Sequence, residues 1–263
     1  MNKKYSILLV LLFFFLGCST QMGGIKESDV YFSKALNYFE EEKYSKAKDY
    51  FENIVNQYSG TEIAIDALYY LAFCKYELKD FEESRQSFKV YTRYSQDIIK
   101  IQSANFMICL CMFELTLDYP QDQSDTYNAL EEFQLFIEEY PNSKYTIEAT
   151  EKIQLLREKL AFKKYNIAKL YIKSGKFNSA KIYINDILNE YYDTESADDA
   201  RIGHIIILLM NDNKTEANNY LAKNKNSFNL DSKYLEAENI ISNSDKKLKI
   251  KKIYFKDYIN KIL

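Results

Sequence analysis

Apolar and polar positions recur with helical period along most of the chain, and the pattern repeats itself. In YFSKALNYFEEEKYSKAKDYFENIV, Ala35, Tyr38, Tyr44, Ala47, Phe51 and Ile54 stand at offsets 0, 3, 9, 12, 16 and 19. That spacing predicts two antiparallel helices joined by a short turn. The small residues let the helices approach closely, and the aromatics fill the groove offered to the next pair. The frame returns from Ala72, with Phe81, Ser84, Phe88 and Tyr91 at offsets 9 to 19 and Lys75 at offset 3. It returns in full from Ala168, with Tyr171, Phe177, Ala180, Ile184 and Ile187. A third unit pairs the helix around Cys109 and Phe113 with NALEEFQLFIEEYP, where Ala129, Phe133, Phe136 and Pro141 fit the second helix and its stop. A weaker fifth unit carries Ile205, Leu208, Ala217 and Leu221. With only 2 Pro and 6 Gly to interrupt helices, the chain is expected to be all-α.

These positions resemble the tetratricopeptide repeat, whose signature runs small, aromatic, small, aromatic and a closing proline. The resemblance implies a superhelix of about five helix pairs, a scaffold that by itself says little about function. The junctions SGTEIA, PNSKYTIEA, YDTESA and LDSKYLEA each place Ser or Thr beside a helix start, offering a hydroxyl to free backbone N–H groups. The last junction predicts a further helix, about 233–241, closing the stack.

Irregular spacing divides the chain. The second-helix small positions Ala47, Ser84, Ala129, Ala180 and Ala217 are 37, 45, 51 and 37 residues apart. The 45-residue gap holds a polar insertion in LDYPQDQSDTYNAL, where Pro120 ends one helix and Asp122, Ser124 or Asp125 can cap the next. The 51-residue gap lacks Gly and Pro from Lys144 to Lys173, which predicts one helix of about 45 Å. The expected organisation is repeats 1–3 over 28–141, repeats 4–5 with the long bridging helix over 142–241, and a terminal segment over 242–263.

The first residues read as an export signal: Lys3 and Lys4 precede the apolar run Ile7–Leu16, which is too short to span a bilayer as a mature helix. Phe15-Leu16-Gly17-Cys18 resembles a bacterial lipobox. That resemblance implies removal of residues 1–17, acylation of Cys18 and a flexible tether over 18–27. The competing reading is an ordinary signal peptide with an incidental cysteine.

Composition narrows the function. A formal charge of −3 argues against nucleic acid as a partner. Neither a Gly-rich phosphate loop nor a recognisable nucleophile set is present, so no enzymatic role, cofactor or metal is expected. The single histidine, His204, lies in an apolar run and reads as a packed helix residue. Cys109 and Cys111 stand about 200° apart around a helix and cannot share a metal without unwinding it, so these and Cys74 read as small core residues.

The arrangement resembles the BamD family of outer-membrane β-barrel assembly lipoproteins. The residues that carry this are Cys18, the five repeats, DQSDTYNAL leading into FIEEYPNSKY, the long helix with LREKLA, and YYDT closing the fourth repeat. SGTEIAIDALYYLAFCKYELKDF is most similar to members from Bacteroidetes-type bacteria, while Tyr192 stands where a closing proline is usual. The resemblance implies a scaffold in the outer membrane facing the periplasm. Its C-terminal half would bind the periplasmic domains of the barrel-forming subunit, and its N-terminal half would receive unfolded outer-membrane proteins. Ser19 and the uncharged STQMGGI fit retention in that membrane. Asp122, Gln123 and Thr126 match the family's pattern in the insertion and form a candidate client-binding loop that shapes the N-terminal groove; a plain capped surface loop is the alternative. Two other envelope roles remain open, glycan uptake and association with peptidoglycan or division factors, although glycan stacking usually employs Trp and this chain has none. The segment from Lys246 to Leu263 holds seven lysines against Asp257; such a run is usually a solvated tail, but its interleaved apolar residues would suit docking on the last repeat, on the membrane or on an acidic partner domain, and the resemblance favours the partner.

Overall fold

The computed structural model describes the backbone over residues 21–248 and side chains over 27–244. Cys18, Ser19 and the lysine-rich residues from 249 onward lie outside the described residues. Among the described residues there are eleven α-helices and no strand, as the periodicity predicts. The helices fall into two compact units divided between residues 115 and 116.

The first unit holds α1 (Gln21–Glu40), α2 (Tyr44–Gln57), α3 (Glu62–Glu77), α4 (Phe81–Tyr94) and α5 (Ile98–Glu114). The second holds α6 (Ser124–Glu139), α7 (Thr146–Lys173), α8 (Phe177–Glu190), α9 (Glu195–Met210), α10 (Lys214–Lys223) and α11 (Asp231–Leu248), with a 3₁₀ turn at Lys225–Ser227. Within each unit consecutive helices pack on one another through short turns, the pairing of tetratricopeptide repeats. Two boundaries differ from expectation. The division falls at 115/116 rather than after Pro141, because α6 packs against α7 and belongs with the second unit. Helix α1 starts at Gln21, inside the stretch expected to be a tether.

The repeat frame is visible in the backbone itself. Glu42, Lys79, Gly175 and Asp212 all have positive φ, 57°, 67°, 73° and 56°. Each stands seven residues after Ala35, Ala72, Ala168 or Ile205. At each, the next residue's N–H reaches back to the carbonyl at offset 3: Lys43 to Tyr38, Asp80 to Lys75, Lys176 to Tyr171 and Asn213 to Leu208, at 2.8–3.0 Å. The left-handed residue bonds three back as well, for instance Lys79 N–H to the Tyr76 carbonyl at 2.9 Å, completing a Schellman-type stop. Only Gly175 takes this conformation without steric cost.

Packing follows the predicted small positions. Ala35, Ala47, Ala72, Ser84, Ala129, Ala168, Ala180 and Ala217 are all fully buried. Ser84 keeps the close approach while its Oγ donates to the Ala72 carbonyl at 2.8 Å. In the first unit Phe51, Ile54, Leu71 and Cys74 build the core around Ala35 and Ala47. In the second, Leu160, Ile172, Ile184, Ile187 and Ile205 do so. A Cβ at Gly203 would stand 3.4 Å from Ile172 Cδ1 and 3.5 Å from Ile184 Cδ1, so glycine lets α9 lie close to α7 and α8.

The hydroxyl junctions hold at two of four sites. Thr61 and Thr194 each accept from a helix N–H, Ala64 at 3.4 Å and Ala197 at 3.3 Å, and each donates to the carbonyl three residues back at 2.6 Å. At the third junction Thr146 is already helical and its hydroxyl donates to the Tyr140 carbonyl at 3.2 Å, so no side chain caps α7. At the fourth, α11 begins at Asp231 and Ser232 falls inside its first turn.

Cys74, Cys109 and Cys111 are buried, as expected of core residues. Burial pushes the Cys74 thiol up to about 12 and the Cys111 thiol up to about 11, which keeps both protonated and unreactive.

Candidate binding surfaces

The insertion between α5 and α6 is a pre-organised loop of the second unit. Its centre is Gln123, buried beneath the turn, whose Nε2 donates to the carbonyls of Asp118 (2.9 Å), Asp122 (3.1 Å) and Gln121 (3.2 Å). Its Oε1 accepts from the fully buried Thr126 hydroxyl at 2.8 Å. One glutamine thereby satisfies the inward carbonyls of the loop and ties them to the first turn of α6. Asp122 is the outward member: its Oδ1 accepts from the Ser124 N–H at 2.9 Å. Those bonds from Ser124 hold its carboxyl below the usual carboxylate value.

Helix α7 pins the same loop from below. Lys159 Nζ donates to the Thr116 hydroxyl at 2.7 Å, Lys163 Nζ to the Gln121 carbonyl at 2.5 Å, and Tyr119 packs edge-on against Phe162 at 4.7 Å. The three predicted residues therefore come together, but they divide by role. Gln123 and Thr126 organise the loop from inside, and Asp122 faces solvent. Tyr119 and Tyr127, 37% and 47% exposed, add aromatic surface beside it that the sequence pattern did not single out. We expect Gln123→Ala to lower the unfolding free energy by about 2 kcal/mol, because it orphans buried carbonyls and a hydroxyl, whereas Asp122→Ala has a much smaller effect. Thermal denaturation of the two variants checks this.

A second polar cluster joins LREKLA on α7 to YYDTES at the α8–α9 turn. Arg157 donates to Asp193 Oδ1 at 2.6 Å and to the Glu190 carbonyl at 2.7 Å, while Gln154 donates to the Asp193 carbonyl at 2.8 Å. Glu158 accepts from both the N–H and the hydroxyl of Ser196. Buried Tyr191 lies beneath Arg157 and Lys164, at 5.5 and 5.7 Å. Burial and a hydrogen bond to Tyr127 raise its phenol above the ordinary value. This lattice closes the turn where Tyr192 replaces the usual proline. Asn229 completes it by donating to the Tyr192 and Thr194 carbonyls at 3.0 and 2.9 Å.

The first unit presents a different surface. Tyr31 and Tyr38, two turns apart on α1, flank Tyr50 of α2 at centroid distances of 6.0 and 5.5 Å. Lys46 lies 5.7 Å over Tyr38, and a shallow depression of about 610 Å³ opens beside Tyr38 and Tyr50. These rings are half-buried, unlike Phe51, Phe88 and Tyr91, which are fully enclosed. Repeat spacing alone does not separate the two groups.

Among the described residues no cluster of three or more His, Cys, Asp or Glu side chains is placed to hold a metal ion. His204 stacks on Tyr220 at 4.4 Å, and burial pushes its imidazole below the ordinary value.

The family described as "YfiO: Outer membrane lipoprotein" matches residues 25–236, a span running through both units. The chain belongs to this family, the BamD family. Among its relatives, an "Outer membrane protein assembly factor BamD" of Rickettsia prowazekii (strain Madrid E) is 25% identical over 197 residues, 74% of this chain and 78% of that one. The protein of the same name from Buchnera aphidicola subsp. Acyrthosiphon pisum is 22% identical over 224 residues, 77% of this chain and 89% of the relative. That from Caulobacter vibrioides is 23% identical over 147 residues, 56% and 48% respectively. The family resemblance read from the insertion, LREKLA and YYDT is borne out. The matched span contains the insertion loop and the α7 lattice, whereas Cys18, Ser19 and the lysine-rich terminal segment lie beyond it.

Proposed function

We propose that this protein is a non-enzymatic scaffold of outer-membrane β-barrel assembly, anchored by acylated Cys18, retained by Ser19 and facing the periplasm. The observation that carries the reading is the BamD-family match through both units. The α7 lattice supports a rigid C-terminal half suited to holding the periplasmic domains of the barrel-forming subunit. The half-exposed Tyr31, Tyr38 and Tyr50 suit the other task, because rings on an open surface hold extended apolar chain without requiring one sequence. In the insertion loop Asp122, oriented by Gln123 and Thr126, is the residue that would meet unfolded outer-membrane clients. Asp122→Ala should weaken crosslinking to barrel precursors while the protein stays folded.

The decisive experiment is gentle extraction of the protein from outer membranes, followed by identification of what co-purifies. A large barrel-forming protein in fixed ratio is expected. Recovery with a bound glycan, or with cell-wall enzymes and no barrel-forming protein, overturns the reading in favour of an uptake or peptidoglycan-associated role.

A further inference from the structure

The first unit has one edge with an unusual surface. Helices α1 to α5 alternate in direction, so the start of α1, the α2–α3 turn and the α4–α5 turn share that edge. Tyr58, at the end of α2, feels the carboxylate of Glu27 near the start of α1. Asp66, in the second turn of α3, takes Lys100 from the first turn of α5 at 2.6 Å. On this edge Tyr94, Ile98 and Ile99 are 67%, 78% and 79% exposed, and Val90 continues the apolar strip one turn back on α4. The isoleucines are fixed there, because Asp97 accepts from the Ile99 and Lys100 N–H groups at 3.0 and 3.1 Å and locks the helix start. Single exposed apolar residues are ordinary on a protein surface. Three within six residues, held outward at a rigid corner, form a wedge.

We infer that this edge rests on a phospholipid surface, with Tyr94, Ile98 and Ile99 entering the interface. The inference builds on the proposed anchor at Cys18. Three peptide steps separate Cys18 from Gln21, where α1 begins, so the leash is at most about 11 Å long. An anchor that short holds the start of α1 at the bilayer, and the Ile98 corner lies about two helix diameters, roughly 20 Å, along the same edge. Tyrosine with branched aliphatic side chains is the composition that settles at the headgroup boundary, and exposed Arg93 beside Tyr94 suits anionic headgroups. The edge would set the orientation that an acyl leash alone leaves free.

The chain contains no tryptophan, so one introduced indole reports alone. Ile98→Trp and, on the opposite edge at the α3–α4 turn, Leu78→Trp are made in the full-length protein. Each is reconstituted in phosphatidylethanolamine–phosphatidylglycerol vesicles containing brominated lipid, and the mass of the N-terminal peptide is read in parallel. Blue-shifted emission and bromine quenching are expected for Ile98→Trp and neither for Leu78→Trp. In a Cys18→Ala chain, replacing Ile98 and Ile99 by Ser should lower vesicle affinity about tenfold. Acylated Cys18 with an unquenched Ile98→Trp indole overturns the inference and leaves the anchor standing. A blue shift without quenching, which means protein covers the edge, also overturns it, as does equal quenching at both positions. Unmodified Cys18 with selective quenching at Ile98→Trp sinks the anchor and keeps the lipid-facing edge; unmodified Cys18 without quenching sinks both.

Discussion

Asp198→Ala should lower the unfolding free energy by about 3–5 kcal/mol, the largest loss we expect from any single polar substitution here. Asp198 lies in the first turn of α9, fully buried, and its two oxygens collect four bonds. Arg201 Nη1 donates at 2.8 Å, the Asn229 N–H at 3.0 and 2.9 Å to the two oxygens, and the Leu230 N–H at 2.9 Å. Removing the carboxylate leaves the Arg201 guanidinium buried against Phe228, 5.7 Å from the ring centroid, with two backbone donors orphaned beside it. Urea denaturation of the purified variant measures the loss. The double variant Asp198→Ala/Arg201→Met should recover part of it, since the buried charge disappears along with its partner. The substitution also tests how the end of the repeat stack is built. Asp198 draws the segment before α11 onto α9, and Lys233 on α11 pairs with Asp199 at 2.7 Å. Loss of Asp198 should therefore expose α11 to proteolysis before α7 or α8.

Positions in this chain differ sharply in how readily the sequence reveals them. The repeat frame was legible because each marked position performs the same packing task in every pair, so Ala47, Ser84, Ala129, Ala180 and Ala217 announce one another. The left-handed stops were less legible. Gly175 signals the conformation, but Glu42, Lys79 and Asp212 adopt it because the flanking helices fix the turn, and that tertiary constraint leaves no local composition signal. Asp198 was invisible, since an acidic residue in the first turn of a helix usually faces solvent and complements the helix dipole. Its burial follows from Asn229 and Leu230, more than 30 residues away. The α7 lattice stands between these cases. LREKLA and YYDT were both recognised as motifs, yet nothing local shows that Arg157 reaches Asp193 across the α7–α8 pair. The compact units divide at 115/116 and the spacing divides after Pro141, because spacing measures chain length and not contact: Pro141 follows α6, and α6 still packs on α7.

Cys18→Ala should move the protein from the outer-membrane fraction to the soluble periplasmic fraction without changing its melting temperature. The proposed anchor and the repeat core are covalently adjacent but energetically separate. Cys18 precedes α1, and the core of the first unit begins at Ala35. Each buried methylene of an acyl chain contributes about 0.8 kcal/mol, so two or three chains on Cys18 would hold the protein on the membrane almost irreversibly. The Tyr94–Ile98–Ile99 edge has far less apolar area and would support only weak, salt-sensitive adsorption in the absence of acyl chains. Fractionation in high salt separates the contributions, because salt releases electrostatic adsorption and leaves acyl anchoring intact. Membrane recovery of Cys18→Ala equal to that of the unsubstituted protein, at both low and high salt, would show that bound partners and not the lipid retain it. The cysteine would then be incidental, and the short leash on which the orientation of the first unit depends would be lost with it.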